Sequence, residues 1–132
     1  QWSSSAASDV YKRQLIRDNY INHLGTSSVL LDPLYFGAGN SFHESMVYGT
    51  PTVTMPTKFI KSRIVSAAYI QMEIDNPPIV KNKNEYVELA IDIANKENLL
   101  EIKKYYQKKA VEKLFNTAKA GEEFNQILLN LD

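Results

Sequence analysis

The sequence contains no cysteine, and this absence excludes disulfide frameworks and thiolate metal sites. It is typical of proteins in a reducing compartment, so we expect a cytoplasmic protein. An excess of charge of either sign is also absent, because 15 Lys and Arg residues balance 15 Asp and Glu residues. Without a net charge to attract polyanions, neither nucleic acid nor a membrane surface is an expected partner.

Long hydrophobic runs are missing too, since polar residues interrupt every apolar stretch well short of the roughly 18 residues that span a bilayer. What is present, 44% hydrophobic and 23% charged residues in a chain of 132, is typical of one globular domain. The two histidines, His23 and His43, stand in unrelated contexts, and with no cysteine to join them we expect no metal site. Both are interpreted as structural or surface residues.

The first 14 residues, QWSSSAASDVYKRQ, fit neither a signal peptide nor an amphipathic helix. Within them, SSAASDVYKRQ resembles the conceptual translation of a sequencing-library transposon adapter. We therefore expect residues 1–14 to be a non-native, disordered leader and residues 15–132 to be the authentic part. A natural flexible arm is the alternative interpretation.

From Arg17 onward, helical periodicity alternates with short apolar stretches rich in branched residues. Two such stretches flank one helix, which predicts a βαβ unit with parallel strands. In chain order we predict a helix at 17–24 ending at Gly25, a strand at 27–32, a helix at 41–48 ending at Gly49, a strand at 51–55, a helix at 58–72, a short strand at 79–80, and helices at 84–95, 98–115 and from about 120.

The stretch LLDPLYFGAGNSFHESMVYGTPTVTMP, residues 30–56, is the most informative part of the chain. A strand ends, the backbone turns through Gly37 and Gly39 without side-chain obstruction, and a helix begins with unpaired N–H groups. Free amides and the helix dipole together stabilise a phosphate or diphosphate at such a position. Asn40 and Ser41 can add side-chain donors, and open parallel sheets bind their ligands at this end of the strands.

Glu44, one turn into the helix, has two competing interpretations. Its carboxylate has the acceptors to bind both hydroxyls of a ribose. Alternatively, Ser41 and Glu44 form a capping box, in which Glu44 folds back onto the Ser41 amide. The pattern alone favours the cap, because S-x-x-E helix starts are frequent.

Two sets of basic residues receive structural interpretations. Arg63 can neutralise a phosphate or anchor its helix to the preceding loop, and anchoring is favoured. The lysines of the helix predicted at 98–115 are interpreted as a solvated face, because Glu101 and Glu112 interrupt the positive charge.

The order of motifs resembles the donor-binding half of O-GlcNAc transferase and its bacterial SPINDLY-like relatives. The shared features are a strand followed by LDP, an aromatic and glycine-rich loop, a helix starting N-S-x-x-E, the segment GTP-x-VT-x-P and an S-R pair. R-x-x-Y before the strand, E-Y-V at 85–87 and LFNT at 114–117 extend the similarity. It therefore covers essentially all of residues 15–132.

That resemblance implies a fold and a function. The family adopts the two-domain GT-B fold, so the chain is expected to be α/β: a partial Rossmann-like parallel sheet from the C-terminal domain, with a helical C-terminal tail. The donor would be a UDP-sugar, with N-acetylglucosamine as the expected sugar and no metal or other cofactor. The intact enzyme would transfer the sugar to a protein hydroxyl or a glycan acceptor, bound through regions upstream.

The resemblance also implies which residues bind the donor. Gly39, Asn40 and Ser41 would contact the diphosphate, and Glu44 would contact the ribose. Arg17 and Tyr20, which precede the first strand, would lie near the uracil. The catalytic base of such enzymes lies upstream of residue 15, so no catalytic residue is assigned and the fragment alone is expected to be inactive. The complete predicted donor-binding set is Gly37, Gly39, Asn40, Ser41, Glu44, Arg17 and Tyr20.

Four positions depart from the family pattern. Asn40 and Ser41 stand where threonines are common, and Gly39 stands where O-GlcNAc transferase has a histidine, although bacterial relatives more often have glycine. Lys58 replaces the more usual acidic residue after the second strand. Sugar specificity is therefore open. The alternative function is a non-catalytic nucleotide-binding or protein-interaction module whose helical tail packs on a partner.

Overall fold

The computed structural model describes residues 16–130, so the predicted leader at 1–14 lies outside the described residues. Within them, helices surround two short parallel strands, which confirms the α/β class. In chain order the elements are α1 (Arg17–Thr26), β1 (Leu30–Leu31), α2 (Asn40–Met46), β2 (Thr52–Val53), a 3-10 helix (Ile60–Ser62), α3 (Ile64–Gln71), α4 (Lys83–Ala94), α5 (Leu99–Lys109), a π-helical turn (Ala110–Leu114) and α6 (Thr117–Leu129).

The strands pair in parallel, with Leu30 of β1 opposite Thr52 of β2. An isolated parallel bridge joins Thr54 to Ile79, where the sequence predicted a short third strand. The βαβ unit is therefore present, but β1 and β2 have two residues each and are shorter than predicted. Pro33 explains one limit, because proline has no N–H with which to continue the ladder.

Helix α2 is followed by the predicted left-handed glycine. Gly49 has a φ of +67°, its amide donates to Met46 O (3.2 Å), and the Thr50 amide donates to Ser45 O (3.2 Å). These two bonds form a Schellman motif. A Cβ atom at Gly49 would overlap the carbonyl oxygen of Lys103 in α5. Gly49 is thus required both by its backbone conformation and by the close approach of α5.

The main core lies between α2, α3 and α5. Phe42, Met46, Tyr69 and Tyr106 are buried in it, with the rings of Phe42 and Tyr69 packed edge to face at 5.3 Å between centroids. The Tyr69 hydroxyl accepts from the Thr52 amide (2.7 Å) and donates to Thr52 O (2.9 Å). Because burial opposes ionisation, the pKa of Tyr69 is raised well above its usual value. This tyrosine ties the helical layer to β2.

Several predicted boundaries are wrong for identifiable reasons. Helix α1 continues through Gly25 to Thr26, and a Cβ atom at Gly25 would lie 2.8 Å from the Tyr48 ring, so this glycine serves packing and not helix termination. The helix predicted at 58–72 starts only at Ile64, after the 3-10 turn. The helix predicted at 98–115 widens into the π-helical turn, and the last helix begins at Thr117.

The lysines of α5 do not form one solvated face. The Nζ atom of Lys103 donates to Gly25 O (2.8 Å) and Ser27 O (2.6 Å), where α1 ends. Partial burial lowers the pKa of Lys103, and its charge complements the negative end of α1. No helix within residues 16–130 has the length and apolar character needed to cross a bilayer.

Candidate functional site

The loop between β1 and α2 is held in place by a buried carboxylate. Asp32, 2% exposed, directly follows β1. Its Oδ1 atom accepts from the Ala38 amide (2.6 Å), and its Oδ2 atom accepts from the Thr54 hydroxyl (2.6 Å). One side chain therefore connects both ends of the loop to the end of β2, and this fixes where α2 can begin.

Two more hydrogen bonds position this loop. The Tyr86 hydroxyl of α4 donates to Asp32 O (2.8 Å), and burial together with the Asp32 carboxylate raises the pKa of Tyr86 to about 12. The Gly37 amide donates to Lys61 O (2.8 Å), and a Cβ atom at Gly37 would lie only 3.0 Å from that oxygen. Gly37 therefore shapes the loop, and its amide is not available to a ligand.

The start of α2 is open. Its N-cap residue is Gly39, with no side-chain cap, and nothing lies within 4 Å of a Cβ atom built there. The first amides of any helix lack intrahelical acceptors. Within residues 16–130, no hydrogen bond supplies an acceptor for the amides of Asn40, Ser41 or Phe42. The space next to Gly39 is open, whereas Phe42 is fully buried, so the amides of Asn40 and Ser41 are the candidate donors.

The capping box that the sequence favoured is not formed. It requires Ser41 at the N-cap, but α2 begins at Asn40, so Ser41 lies two positions inside. Its Oγ atom instead accepts a hydrogen bond from the Tyr20 hydroxyl (2.8 Å). Glu44 makes no hydrogen bond to Ser41 and is left on the surface of α2, half-buried.

A groove between α1 and α2 brings together two of the predicted donor-binding residues. It has a volume of ≈ 480 Å³ and is open to solvent, and both Arg17 and Glu44 line it. Tyr20 meets Ser41 on the neighbouring part of the same helix pair. The structure thus gathers Arg17, Tyr20, Ser41 and Glu44 at one helix pair, with Gly39 and Asn40 at its open end. The remaining groove residues are Asp18, Ile21, Asn22, Val47 and Tyr48.

His43 and Arg63 have structural contacts, as the sequence favoured. The Nδ1 atom of His43 lies 2.9 Å from Gly39 O, and its ring packs edge to face on Phe42. The Nε atom of Arg63 donates to Thr57 O (2.7 Å), which anchors α3 to the loop after β2. Within residues 16–130, no three His, Cys, Asp or Glu side chains are placed to share a metal ion.

The groups at the start of α2 and in the groove suit a ligand that has an anionic group joined to a part with hydroxyl groups. Unpaired backbone amides can donate to phosphate oxygens. Ser41 accepts from Tyr20, so its own hydroxyl proton is free to donate to a ligand. The groove itself has one positive side chain, Arg17, and two carboxylates, Asp18 and Glu44, which offer acceptors for hydroxyl groups.

Asp32 and Tyr86 were missed as contributors to the site. Asp32 stands in the LDP motif, where an acidic residue before a proline marks a turn, and this signal could have identified it. Tyr86 lies 54 residues from Asp32 in the chain, and no local pattern points from one to the other.

Comparison with models of known protein families finds none that matches the chain, and no curated protein matches it either.

Proposed function

We propose that residues 15–132 belong to the donor-nucleotide-binding domain of a UDP-sugar glycosyltransferase, with a partial Rossmann-like sheet of the GT-B type. The observation that carries this proposal is the open start of α2, fixed by Asp32 and placed beside a groove that contains Arg17 and Glu44. The motif resemblance to O-GlcNAc transferase-like enzymes supports it independently.

In this proposal the diphosphate lies at the start of α2. The amides of Asn40 and Ser41 donate to its oxygens, and the side chains of both residues add donors. Gly39 allows the ligand to approach, because no Cβ atom occupies the space above it. Helix α2 has only seven residues, so direct hydrogen bonds contribute more than the helix dipole.

The nucleoside extends from the diphosphate into the α1–α2 groove. Glu44 accepts hydrogen bonds from the ribose hydroxyls, and its side chain is free for this because the capping box is absent. Arg17 and Tyr20 lie on the side of α1 that would meet the uracil. No residue of this chain is assigned to bond breaking, so turnover belongs to the intact enzyme.

Calorimetric titration with UDP, UMP and uridine tests the proposal. UDP should bind about tenfold more tightly than UMP, because only UDP places a second phosphate at the free amides. The Glu44→Ala variant should weaken UDP and UMP by about tenfold each, the value of one lost hydrogen-bonding carboxylate. Glu88→Ala, an exposed glutamate of α4, is the matched control and should bind as the parent does. Absence of binding by every nucleotide, or equal binding by Glu44→Ala, would contradict the donor site.

A further inference from the structure

A second cavity lies beside the loop after β1 and shares no lining residue with the α1–α2 groove. We call it the apolar pocket; Leu34, Tyr35, Met55 and Phe59 form most of its wall, and its volume is ≈ 230 Å³. Sites for whole drug-sized ligands occupy about 300–1,000 Å³. The apolar pocket therefore has room for one large side chain and not for a complete nucleotide-sugar.

The aromatic residues that line this pocket are largely exposed to solvent. Tyr35 is 83% exposed and Phe59 is 56% exposed, and their chain neighbours Phe36 and Ile60 are 68% and 85% exposed. Exposed apolar patches of this kind mark binding surfaces in soluble proteins. The pocket and its two flanking residues together offer such a surface.

The charges at the rim all have one sign. Lys61 and Lys83 line the pocket, and the Nζ atom of Lys58 lies 5.3 Å from the Phe59 ring centroid. None of the ion pairs within residues 16–130 involves these three lysines. No acidic residue lines the pocket. An occupant that complements this surface must be negatively charged around an apolar group.

We infer that the apolar pocket docks an acidic peptide segment. One bulky apolar side chain of the peptide enters between Tyr35 and Phe59, and flanking Asp or Glu residues pair with Lys61 and Lys83. A small concave pocket suits a single anchoring side chain, whereas an anionic membrane surface requires a broad apolar face. This site shares no lining residue with the donor groove.

Fluorescence anisotropy of the full chain with a short fluorescein-labelled peptide tests the inference. The peptide carries one phenylalanine flanked on both sides by aspartates. The double variant Lys61→Glu/Lys83→Glu should weaken its binding by at least about tenfold, because two attractive pairs become repulsive. Binding should also weaken as salt is raised. Both lysines are exposed, and Lys83 is at the start of α4, where a glutamate suits the helix dipole, so the variant should fold normally.

Matched controls separate this site from general charge effects. Lys104→Glu, an exposed change elsewhere on the chain, should leave the affinity within about twofold. A peptide with alanine in place of phenylalanine should bind at least about tenfold more weakly. Equal binding of the double variant, or equal binding of a peptide with lysines in place of aspartates, would overturn the inference. So would a monomer–dimer equilibrium in sedimentation that Phe59→Ala abolishes, or stronger binding to vesicles of anionic lipid than to the peptide, because either result assigns the pocket to another occupant.

Discussion

Helices α2 and α4 begin with similar sequence patterns, yet only α4 is capped. At α4, Asn82 accepts from the Glu85 amide (2.9 Å), and the Glu85 carboxylate accepts from the Asn82 side chain (2.7 Å) and the Lys81 amide (3.0 Å). At α2, Ser41 and Glu44 have the same spacing but form no such contacts. Asn82 is the N-cap residue of α4, whereas Ser41, the corresponding residue of the pattern, lies inside α2.

This difference teaches that tertiary contacts, and not the local pattern, decide which helix start is closed. The Tyr20 hydroxyl donates a hydrogen bond to Ser41 Oγ. Asp32 fixes the loop, and α2 begins two residues earlier than a capping box at Ser41 and Glu44 would require. At the capped start of α4, the side chains of Asn82 and Glu85 accept hydrogen bonds from the backbone amides. At the start of α2 the amides of Asn40 and Ser41 and the Glu44 carboxylate have no such partners within residues 16–130, which is what the proposed donor site requires.

The largest predicted difference in unfolding free energy is between alanine variants of the two glycines that flank α2. Gly49→Ala should lower the free energy of unfolding by roughly 3 kcal/mol, because it combines a left-handed backbone with an overlap against α5. Gly39→Ala should change it by less than about 0.5 kcal/mol, since its Cβ atom meets open space. Urea unfolding of both variants measures the difference. Similar losses in the two would show that the start of α2 is not open.

Asp32→Asn should disrupt the hydrogen bonds that hold the loop before α2. The amide group keeps one acceptor but turns a donor toward Ala38 or Thr54, so we expect a loss of about 2–3 kcal/mol in unfolding free energy. UDP affinity should fall as well, because the loop is no longer fixed. Asp92→Asn, which removes an exposed pair with Lys96 (3.5 Å), is the control and should cost less than about 1 kcal/mol. An unchanged Asp32→Asn protein would show that the carboxylate does not hold the loop.

Tyr86→Phe removes one hydrogen bond to the same loop and should lower the unfolding free energy by about 1 kcal/mol. Tyr105→Phe should cost less, because its hydroxyl bonds to the amide and the carboxylate of Asp75 (both 3.2 Å) at the surface, where water can replace both bonds. Because the pKa of Tyr86 is raised to about 12 in the folded chain, its neutral form is favoured by folding. That contribution is complete below the usual pKa of 10.0 and is lost as the pH rises toward 12. Thermal unfolding of both proteins across this range should show the difference between parent and Tyr86→Phe shrinking; a constant difference would contradict this role.

The smallest effects test the two helix starts directly. Asn82→Ala removes a formed cap and should lower the unfolding free energy by about 1 kcal/mol. Glu44→Ala removes no cap and should change it by less than about 0.5 kcal/mol while still weakening UDP binding. Chemical denaturation and nucleotide titration of the same samples provide both readouts. If Glu44→Ala costs as much stability as Asn82→Ala, the helix start is capped and the donor interpretation loses its ribose contact.

Local features were predictable from the sequence, and features set by distant contacts were not. The left-handed turn at Gly49 depends on neighbouring residues, so the sequence indicated it. The roles of Glu44 depend on where α2 begins, which Asp32 and Tyr20 decide through contacts that no local pattern encodes.

The parallel βαβ unit was predicted from its apolar stretches and its glycines, but the lengths of its strands were not. The π-helical turn at Ala110–Leu114 was also missed. There the side chain of Gln71 donates to Lys113 O (3.1 Å), 42 residues away in the chain. A helical periodicity cannot reveal such a partner, because it records only which face of a helix is apolar.

Lys103 has a consequence for how the chain is made. Its side chain closes the end of α1 through contacts 76 and 78 residues apart in the chain, and its carbonyl group covers Gly49. While the polypeptide emerges from the ribosome, the end of α1 and the turn at Gly49 gain these contacts only after α5 has been synthesised. A nascent chain that ends before residue 103 therefore leaves exposed the carbonyl groups of Gly25 and Ser27 and the turn at Gly49, all of which Lys103 covers in the folded chain.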